Sequence, residues 1–397
     1  MLSLNKIIRY DYGKCQQCGT CEAVCPKQAI SLCRLENGLC AINVDSELCI
    51  KCKKCITVCP AIMDTVEDAD YLQKLKDKTY FFGYNTDNEI RHDCSSGGVC
   101  KTIIIEGLKS GLVDGVYSLQ KTNDYPYAEG AFYTSENIPT YQDLPNSVYH
   151  SLMIGRNVGQ IEHCKRLMIV GTSCQLRSLE KAVKGKCDEL IKVCLFCKQQ
   201  KTLDSTRFLA KAMGTAISGD IRFTVQYRGK GWPGMVIVNN AELPWHRAAQ
   251  LPFGRRLWTV PGCNVCGDPF GMECNADITL MDPWNIRTSN NLGETLITIH
   301  TNSGLDLINN IPNLTLEHKD YDDIEPALGL ADIWRKRMLV PYFREEKCND
   351  RIIKAGNAEQ RQRRWLQYIV MKLPRMPFIV YRLLCHLPDL RNKILKY

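Results

Sequence analysis

The sequence predicts a mixed α+β and α/β chain of three parts: a small cysteine-rich domain, a larger α/β body and a short helical basic tail. Three observations predict it. Residues 1–63 contain a repeat, CQQCGTCEAVCP from Cys15 to Pro26 and CIKCKKCITVCP from Cys49 to Pro60, offset by 34 positions. From about residue 79, apolar runs such as TYFFGY, GLVDGVYSL, RLMIVGT and IKVCLF alternate with helical patterns such as TLDSTRFLAKAMG, as in a parallel or mixed sheet covered by helices. From about residue 346, aromatic and aliphatic residues mix with Arg and Lys.

Taken in order, residues 1–63 form the N-terminal domain. Residues 64–78 (DTVEDADYLQKLKDK) are polar and helix-compatible, with few residues to build a core, and predict a linker helix. Residues 79–345 form the body and residues 346–397 the tail. Within the tail, Pro374, Pro377 and Pro388 break any continuous helix, because proline lacks a backbone donor and clashes with the preceding turn. Two readings of the tail stay open: a helical cap packed on the body, or an amphipathic arm that docks on a membrane surface or a protein partner.

At 397 residues, 45% hydrophobic and 24% charged, the chain can bury a sizeable core plus a small appended domain, which excludes a disordered or fibrous protein. There are 22 Cys. No apolar stretch follows a basic leader, so a cytoplasmic, reducing setting is expected, with association at the inner face of a membrane left open. Closely spaced Cys then read as metal ligands or redox groups rather than disulfides. The formal charge of +8 is localised: residues 351–397 hold 11 Lys/Arg against Glu359 and Asp389, leaving 40 Lys/Arg against 41 Asp/Glu elsewhere. A neutral body offers no extended phosphate-tracking surface, which argues against nucleic acid. No run reaches the roughly 18 apolar residues needed to span a bilayer.

Both repeats follow CxxCxxCxxxCP. In this spacing three Cys of one loop ligate one [4Fe-4S] cubane and the fourth, just before Pro, ligates the other. That assigns Cys15, Cys18, Cys21 and Cys59 to one cluster and Cys49, Cys52, Cys55 and Cys25 to a second, a ferredoxin-type 2[4Fe-4S] domain. Thiolates are soft anionic ligands and suit iron. A zinc knuckle or idle thiols would not require two matching registers, each closed by a proline. The pattern predicts a carrier of single electrons.

The body holds less specific signals. Ser95, Ser96, Gly97 and Gly98 precede an apolar helical pattern, so hydroxyls and bare N–H groups sit at a helix N-terminus, where unpaired donors and the dipole suit a pyrophosphate. An ordinary N-cap and tight turn is the alternative. No GxGxxG follows a strand, so a nicotinamide-binding unit is unsupported and a one-electron donor such as reduced ferredoxin is expected. Cys174, in GTSC at a strand-to-helix turn, is equally apt as a cluster ligand, a redox-active thiol or a capped structural Cys. Cys263 and Cys266 form a CxxC pair in a Pro/Gly loop, and Cys197 ends an apolar strand. Arg228 and Lys230 sit in YRGKGWPG, a tight loop beside a ligand or a solvated strand end. Asp282, in DPW with Trp284, faces a ligand or caps its own turn. None of the seven His falls in a motif suited to a general acid, so catalytic residues and the proton donor are unassigned.

Four segments carry a resemblance: SSGGVCKTIIIEGLKSGLVDGVYSL at 95–119, GTSCQLRSLEKAV at 171–183, CLFCKQQKT at 194–202, and YRGKGWPG at 227–234 with CNVCGDPFGMECNADITLMDPWN at 263–285. Together they resemble the coenzyme F-420 hydrogenase/dehydrogenase beta subunit family, which includes 7-hydroxymethyl chlorophyll a reductase. The pattern departs at Ser173, where Pro is common, at Lys198, where Gly is common nearby, and at Met281, where Gly is usual. The resemblance implies an iron–sulfur flavoprotein whose mixed α/β flavin-binding domain holds FAD near Ser95, Ser96, Gly97, Gly98, Arg228, Lys230, Asp282 and Trp284. Alongside it, Cys174, Cys197, Cys263 and Cys266 are proposed to ligate a third [4Fe-4S] cluster, with Cys194 and Cys274 in reserve and a zinc site or dithiol as the alternative. Cys33, Cys40, Cys94, Cys100, Cys164, Cys187, Cys348 and Cys385 have no usable spacing and read as small buried hydrophobes. The expected function passes electrons from a ferredoxin-like donor through the clusters to FAD and on to a small two-electron acceptor, coenzyme F-420 being one candidate. The alternative is a non-catalytic electron-transfer subunit of a larger redox complex.

Overall fold

Strands covered on both faces read as unbroken apolar runs, and strands of this kind form the centre of the main sheet. The computed structural model describes residues 13–63, 70–215, 223–286, 291–373 and 378–397. Its strands are β1 (Ile30–Arg34), β2 (Cys40–Val44), β3 (Thr79–Asn85), β4 (Gly115–Lys121), β5 (Ala128–Thr134), β6 (Cys164–Gly171), β7 (Cys187–Leu195), β8 (Val225–Gln226), β9 (Met235–Val238), β10 (Ala241–Pro244), β11 (Ile278–Met281), β12 (Thr295–Ile299) and β13 (Leu314–Lys319). The main sheet has eight strands in the order β13-β3-β12-β11-β7-β6-β4-β5. Strands β4, β6, β7 and β11 run parallel to one another, while β5 on one side and β12, β3 and β13 on the other add antiparallel edges. The expected mixed sheet is therefore present. Strands β8 to β10 form a second, three-stranded antiparallel sheet that the sequence did not suggest.

Alternate residues of a strand face opposite ways, and β6 shows what this does. Met168 and Val170 join the core under α1 (Val99–Lys109), whereas Leu167 and Ile169 pack against Leu176 and Leu179 of α2 (Ser173–Ala182). Helix α2 starts where it does because Thr172 and Gln175 form a reciprocal capping box, with the Thr172 N–H donating to Gln175 Oε1 at 2.8 Å.

The linker departs from expectation. Residues 64–69 of it lie outside the described residues, and the remainder holds a 3-10 helix, Gln73–Asp77, rather than an α-helix. Tyr71 and Leu75 are buried in a core cluster with Phe270, Leu296 and Ile324, so tertiary packing holds this segment on the body.

In the N-terminal domain β1 and β2 pair as an antiparallel hairpin beside the short helical turns Thr20–Ala23 and Lys54–Thr57. The domain is seated on the body by main-chain bonds, Gly155 N to Cys18 O and Leu203 N to Asn37 O, both 2.8 Å. Ser178 Oγ of α2 donates to Val58 O at 2.8 Å.

The tail forms α3 (Asp350–Lys372), α4 (Phe378–His386) and α5 (Leu390–Ile394); Pro388 stands between α4 and α5, whereas Pro374 and Pro377 lie outside the described residues. It packs as a cap. Leu366, Val370, Tyr381 and Leu384 join the core around β9 and Trp245. Beneath, Glu359 accepts from Arg256 at 2.8 Å and Arg363 at 3.3 Å, and Arg391 bonds Asp332 at 2.6 Å. Two of the tail's cations, Arg363 and Arg391, are thus paired with carboxylates. Trp365, Tyr368, Met371, Ile379 and Leu383 stay exposed. Among the described residues no helix is long and apolar enough to cross a membrane.

Candidate cofactor cavity and cysteine sets

In open α/β sheets, ligands bind at the carboxyl ends of parallel strands. Here those ends open into a cavity of about 480 Å³, within the 300–1,000 Å³ or so usual for small-molecule sites. Thr172 follows β6, Cys197 follows β7, Asp282 and Trp284 follow β11, and all four line it. Ser95, Ser96, Gly98 and Lys101 line the wall at the start of α1.

That wall has a special backbone. Ser96, Gly97 and Gly98 have φ of 51°, 77° and 80°, in the left-handed region that favours glycine. Gly97 is doubly constrained, since a Cβ there would lie 2.8 Å from Gly293 O. Gly98 is the N-cap of α1 and offers no side chain to its first-turn N–H groups, which leaves donors for a ligand. The Ser96 hydroxyl donates to Asp282 Oδ1, while Ser95 Oγ accepts from Ser147 N at 3.0 Å.

Arg228 stands behind the cavity wall. It is fully buried, and Nη1 donates to Asp282 Oδ2 at 2.7 Å. Its guanidinium lies 5.0, 5.1 and 5.5 Å from the rings of Trp232, Trp245 and Trp284. Burial opposes its charge, but Asp282 outweighs that and raises its pKa further. Three sequence motifs, SSGG, YRGKGWPG and DPW, therefore meet at one carboxylate. Lys230 does not join them: it pairs with Glu242 at 2.5 Å on the exposed side of its loop and does not line the cavity. Gly97 is buried beneath the lining rather than part of it.

The cysteines gather in three sets. Cys15, Cys18, Cys21 and Cys59 surround one recess, joined by Cys40. Cys25, Cys49, Cys52 and Cys55 surround another. Burial, then mutual repulsion, pushes the thiols up: Cys15 and Cys59 to about 12 and Cys55 to about 11. In the body, burial first, then Cys266, pushes the Cys174 thiol up, and burial first, then Cys263 and Cys266, pushes Cys197 up to about 12. Lys336 Nζ braces this set, donating to Cys263 O at 2.8 Å and Cys266 O at 2.6 Å. Buried thiols of this kind ionise only beside a strong compensating cation, as metal coordination supplies.

No group of three or more His, Cys, Asp or Glu among the described residues is placed to hold a metal ion. A tetrahedral zinc site with Zn–S of about 2.3 Å brings its sulfurs to within about 4 Å of one another. The first two sets instead ring recesses.

The sets form a series. A Cβ at Gly262 would lie 2.2 Å from Cys15 O, so the backbone beside Cys263 touches that of the first set. Cys18 Sγ is 3.6 Å from Ser178 Oγ, one turn beyond Cys174 on α2. Cys197 then reaches the cavity. Cys194 and Cys274, the reserves, sit against each other in the buried core. Sequence reasoning missed three features: Cys40 at the first recess, Cys94 and Cys100 on the cavity wall, and Lys101, whose Nζ donates to Tyr141 O at 2.8 Å. Only the TSCQ capping-box pattern offered a local signal that Thr172 opens a helix at the cavity.

Comparison with known proteins gives matches to three family descriptions. Residues 14–62 match the 4Fe-4S dicluster domain. Residues 80–138 match the N-terminal part, and residues 164–324 the C-terminal part, of the coenzyme F420 hydrogenase/dehydrogenase beta subunit. A coenzyme F420-dependent sulfite reductase from Methanocaldococcus jannaschii is 26% identical over 188 residues, 45% of this chain and 26% of that protein, so the chain spans about a quarter of that relative's length. A chain of the F420-reducing [NiFe] hydrogenase complex from Methanosarcina barkeri is similar at 17% identity, covering 67% of this chain and 90% of that one, with a TM-score of 0.45.

Proposed function

The chain belongs to the coenzyme F420 hydrogenase/dehydrogenase beta subunit family and carries a 4Fe-4S dicluster domain, and on that premise we propose that it is a flavin-dependent iron–sulfur oxidoreductase. In this reading a one-electron donor is oxidised at the N-terminal domain and a two-electron acceptor is reduced at the cavity. One observation carries it: a single cavity is bounded both by the SSGG turn, suited to a dinucleotide's phosphates, and by Cys197 of the third cysteine set.

Bound there, FAD would supply the conversion between one-electron and two-electron chemistry, and [4Fe-4S] clusters in the three sets would supply single-electron transfer. The chain's own residues do the rest. The left-handed turn at Ser96, Gly97 and Gly98 presents backbone donors, and Lys101 adds positive charge near them. Asp282 holds Ser96 and Arg228 in one arrangement, which fixes the turn relative to β11. Trp284, its ring centroid 4.9 Å from that of Trp232 and tilted against it, provides an aromatic wall. Coenzyme F-420 is one candidate acceptor.

Anaerobic purification followed by iron, acid-labile sulfide and flavin assays per chain tests the proposal. About twelve Fe, at four per cubane, with one FAD supports it. About eight Fe without flavin would replace it with the second reading, an electron-relay subunit of a larger redox complex.

A further inference from the structure

The second cysteine set differs from the first in where it faces. The first lies against the body, beside Met153 and Gly262, whereas Cys52 of the second is exposed. Lys27, Lys51, Lys53 and Lys54 line the recess around Cys25, Cys49, Cys52 and Cys55, and all four lysines are exposed. Among the described residues none of them makes an ion pair. Of the carboxylates near them along the chain, Glu22 accepts from Leu32 N at 3.0 Å and pairs with Arg156 at 2.6 Å, Asp45 accepts from Glu47 N at 2.8 Å and Leu48 N at 3.2 Å, and Glu47 is exposed. Ile50, 59% exposed, lies on the same recess, and Leu48, 50% exposed, precedes it.

Four uncompensated ammonium groups on one face raise the local concentration of an anionic partner and speed its association by roughly 10- to 1,000-fold. Flexible lysines steer encounter more than they hold a complex, which suits a carrier that must leave after each electron. An apolar patch within a charged rim is the ordinary anatomy of such contacts. We propose that this lysine-ringed face around Cys52 docks an acidic one-electron carrier protein of the ferredoxin type, an inference that rests on the reading that these thiolates hold a cluster. The step balances simply: the carrier is oxidised by one electron and the cluster reduced by one, with no bond made or broken and no proton moved.

The test is anaerobic stopped-flow mixing of the intact, iron-loaded chain with a reduced acidic plant-type [2Fe-2S] ferredoxin, and with reduced methyl viologen as a small reductant. For the native chain the ferredoxin rate is expected to fall at least about tenfold between about 20 and about 500 mM NaCl, while the viologen rate stays nearly level. Lys51→Glu/Lys53→Glu/Lys54→Glu is expected to slow ferredoxin roughly 10- to 100-fold at low salt, to weaken biosensor binding of oxidised ferredoxin by a similar factor, and to leave the viologen rate in place. Lys51 and Lys53 have φ of 57° and 65°, so Lys27→Glu/Lys54→Glu, which avoids that strained loop backbone, is the second variant. A salt-independent ferredoxin rate overturns the proposal, as does native speed in both variants. Equal slowing with viologen also overturns it, because the lysines would then act on the cluster itself. Absence of the N-terminal iron would sink the cluster reading, whereas iron present with inert lysines would sink the docking surface alone.

Discussion

Replacing Asp282 by Asn removes one charge while keeping the side chain's shape and one acceptor oxygen. The carboxylate holds Arg228 Nη1 at 2.7 Å and accepts the Ser96 hydroxyl. The Arg228 side chain is 0% exposed and that of Asp282 20%, so the pair sits largely out of water. Arg228 Nε and Nη2 make no hydrogen bond, and the three indoles near the guanidinium are the same before and after the change. Stranding a buried charge costs about 3–5 kcal/mol. Since the amide still accepts one bond, the lower end applies: about 3 kcal/mol, or roughly two powers of ten in the folding constant. Urea unfolding of the anaerobically purified protein, followed by tryptophan fluorescence, reads this directly, because Trp232, Trp245 and Trp284 surround the site. The midpoint should drop with the urea slope unchanged. Adding Arg228→Met to the same chain removes the stranded charge and should recover part of the loss. A loss below about 1 kcal/mol for Asp282→Asn, or no recovery in the double variant, would refute the argument that a buried ion pair ties the three motifs together.

Three further outcomes are expected. Cys197→Ser should lower iron by about four atoms per chain and spare the signals of the N-terminal domain, whereas Cys194→Ser should leave the iron content unchanged; equal loss from both would place Cys194 among the ligands. Gly262→Ala would put a Cβ 2.2 Å from Cys15 O, forcing the N-terminal domain back at a cost of about 1–3 kcal/mol, and amide exchange near Cys15 to Cys18 should quicken; unchanged exchange would show that the contact does not seat the domain. Under the tail, burial opposes ionisation of Glu359 and Asp389, yet Arg256, then Arg391, outweigh it and hold both below the usual carboxylate range. The folded state then binds fewer protons than the unfolded chain, so their stabilisation is present at neutral pH and fades as pH falls through about 4 and below; a urea midpoint flat from pH 7 to 3 would contradict it.

Much of the N-terminal domain was legible because its chemistry is local. Eight cysteines in two registers, each closed by proline, are a spacing rule, and the folded chain gathers them into the two recesses that the spacing assigns. The alternation of apolar runs and helical patterns likewise led to the mixed sheet, since side-chain period and burial follow from short stretches of chain. Pro388 in the tail reads directly as the helix break after His386.

What only the tertiary structure decided concerns groups distant along the chain. Arg228 was read as lying beside a ligand or at a solvated strand end, and the fold buries it against Asp282, 54 positions away, while Lys230 two residues later points outward to Glu242. The need for glycine at position 97 comes from Gly293 O, and at position 262 from Cys15 O, neither of which any local pattern contains. Whether the basic tail lies free or packed depended on Glu359, Asp389 and Asp332 meeting Arg256 and Arg391 from separate elements. The sequence by itself determined the residue types and spacings that bind iron and build strands, because those obey short-range geometry. The fold decided which charges face each other and which thiols share a recess, because Coulomb attraction and close packing depend on distance in space, and that distance exists only once the chain has closed on itself.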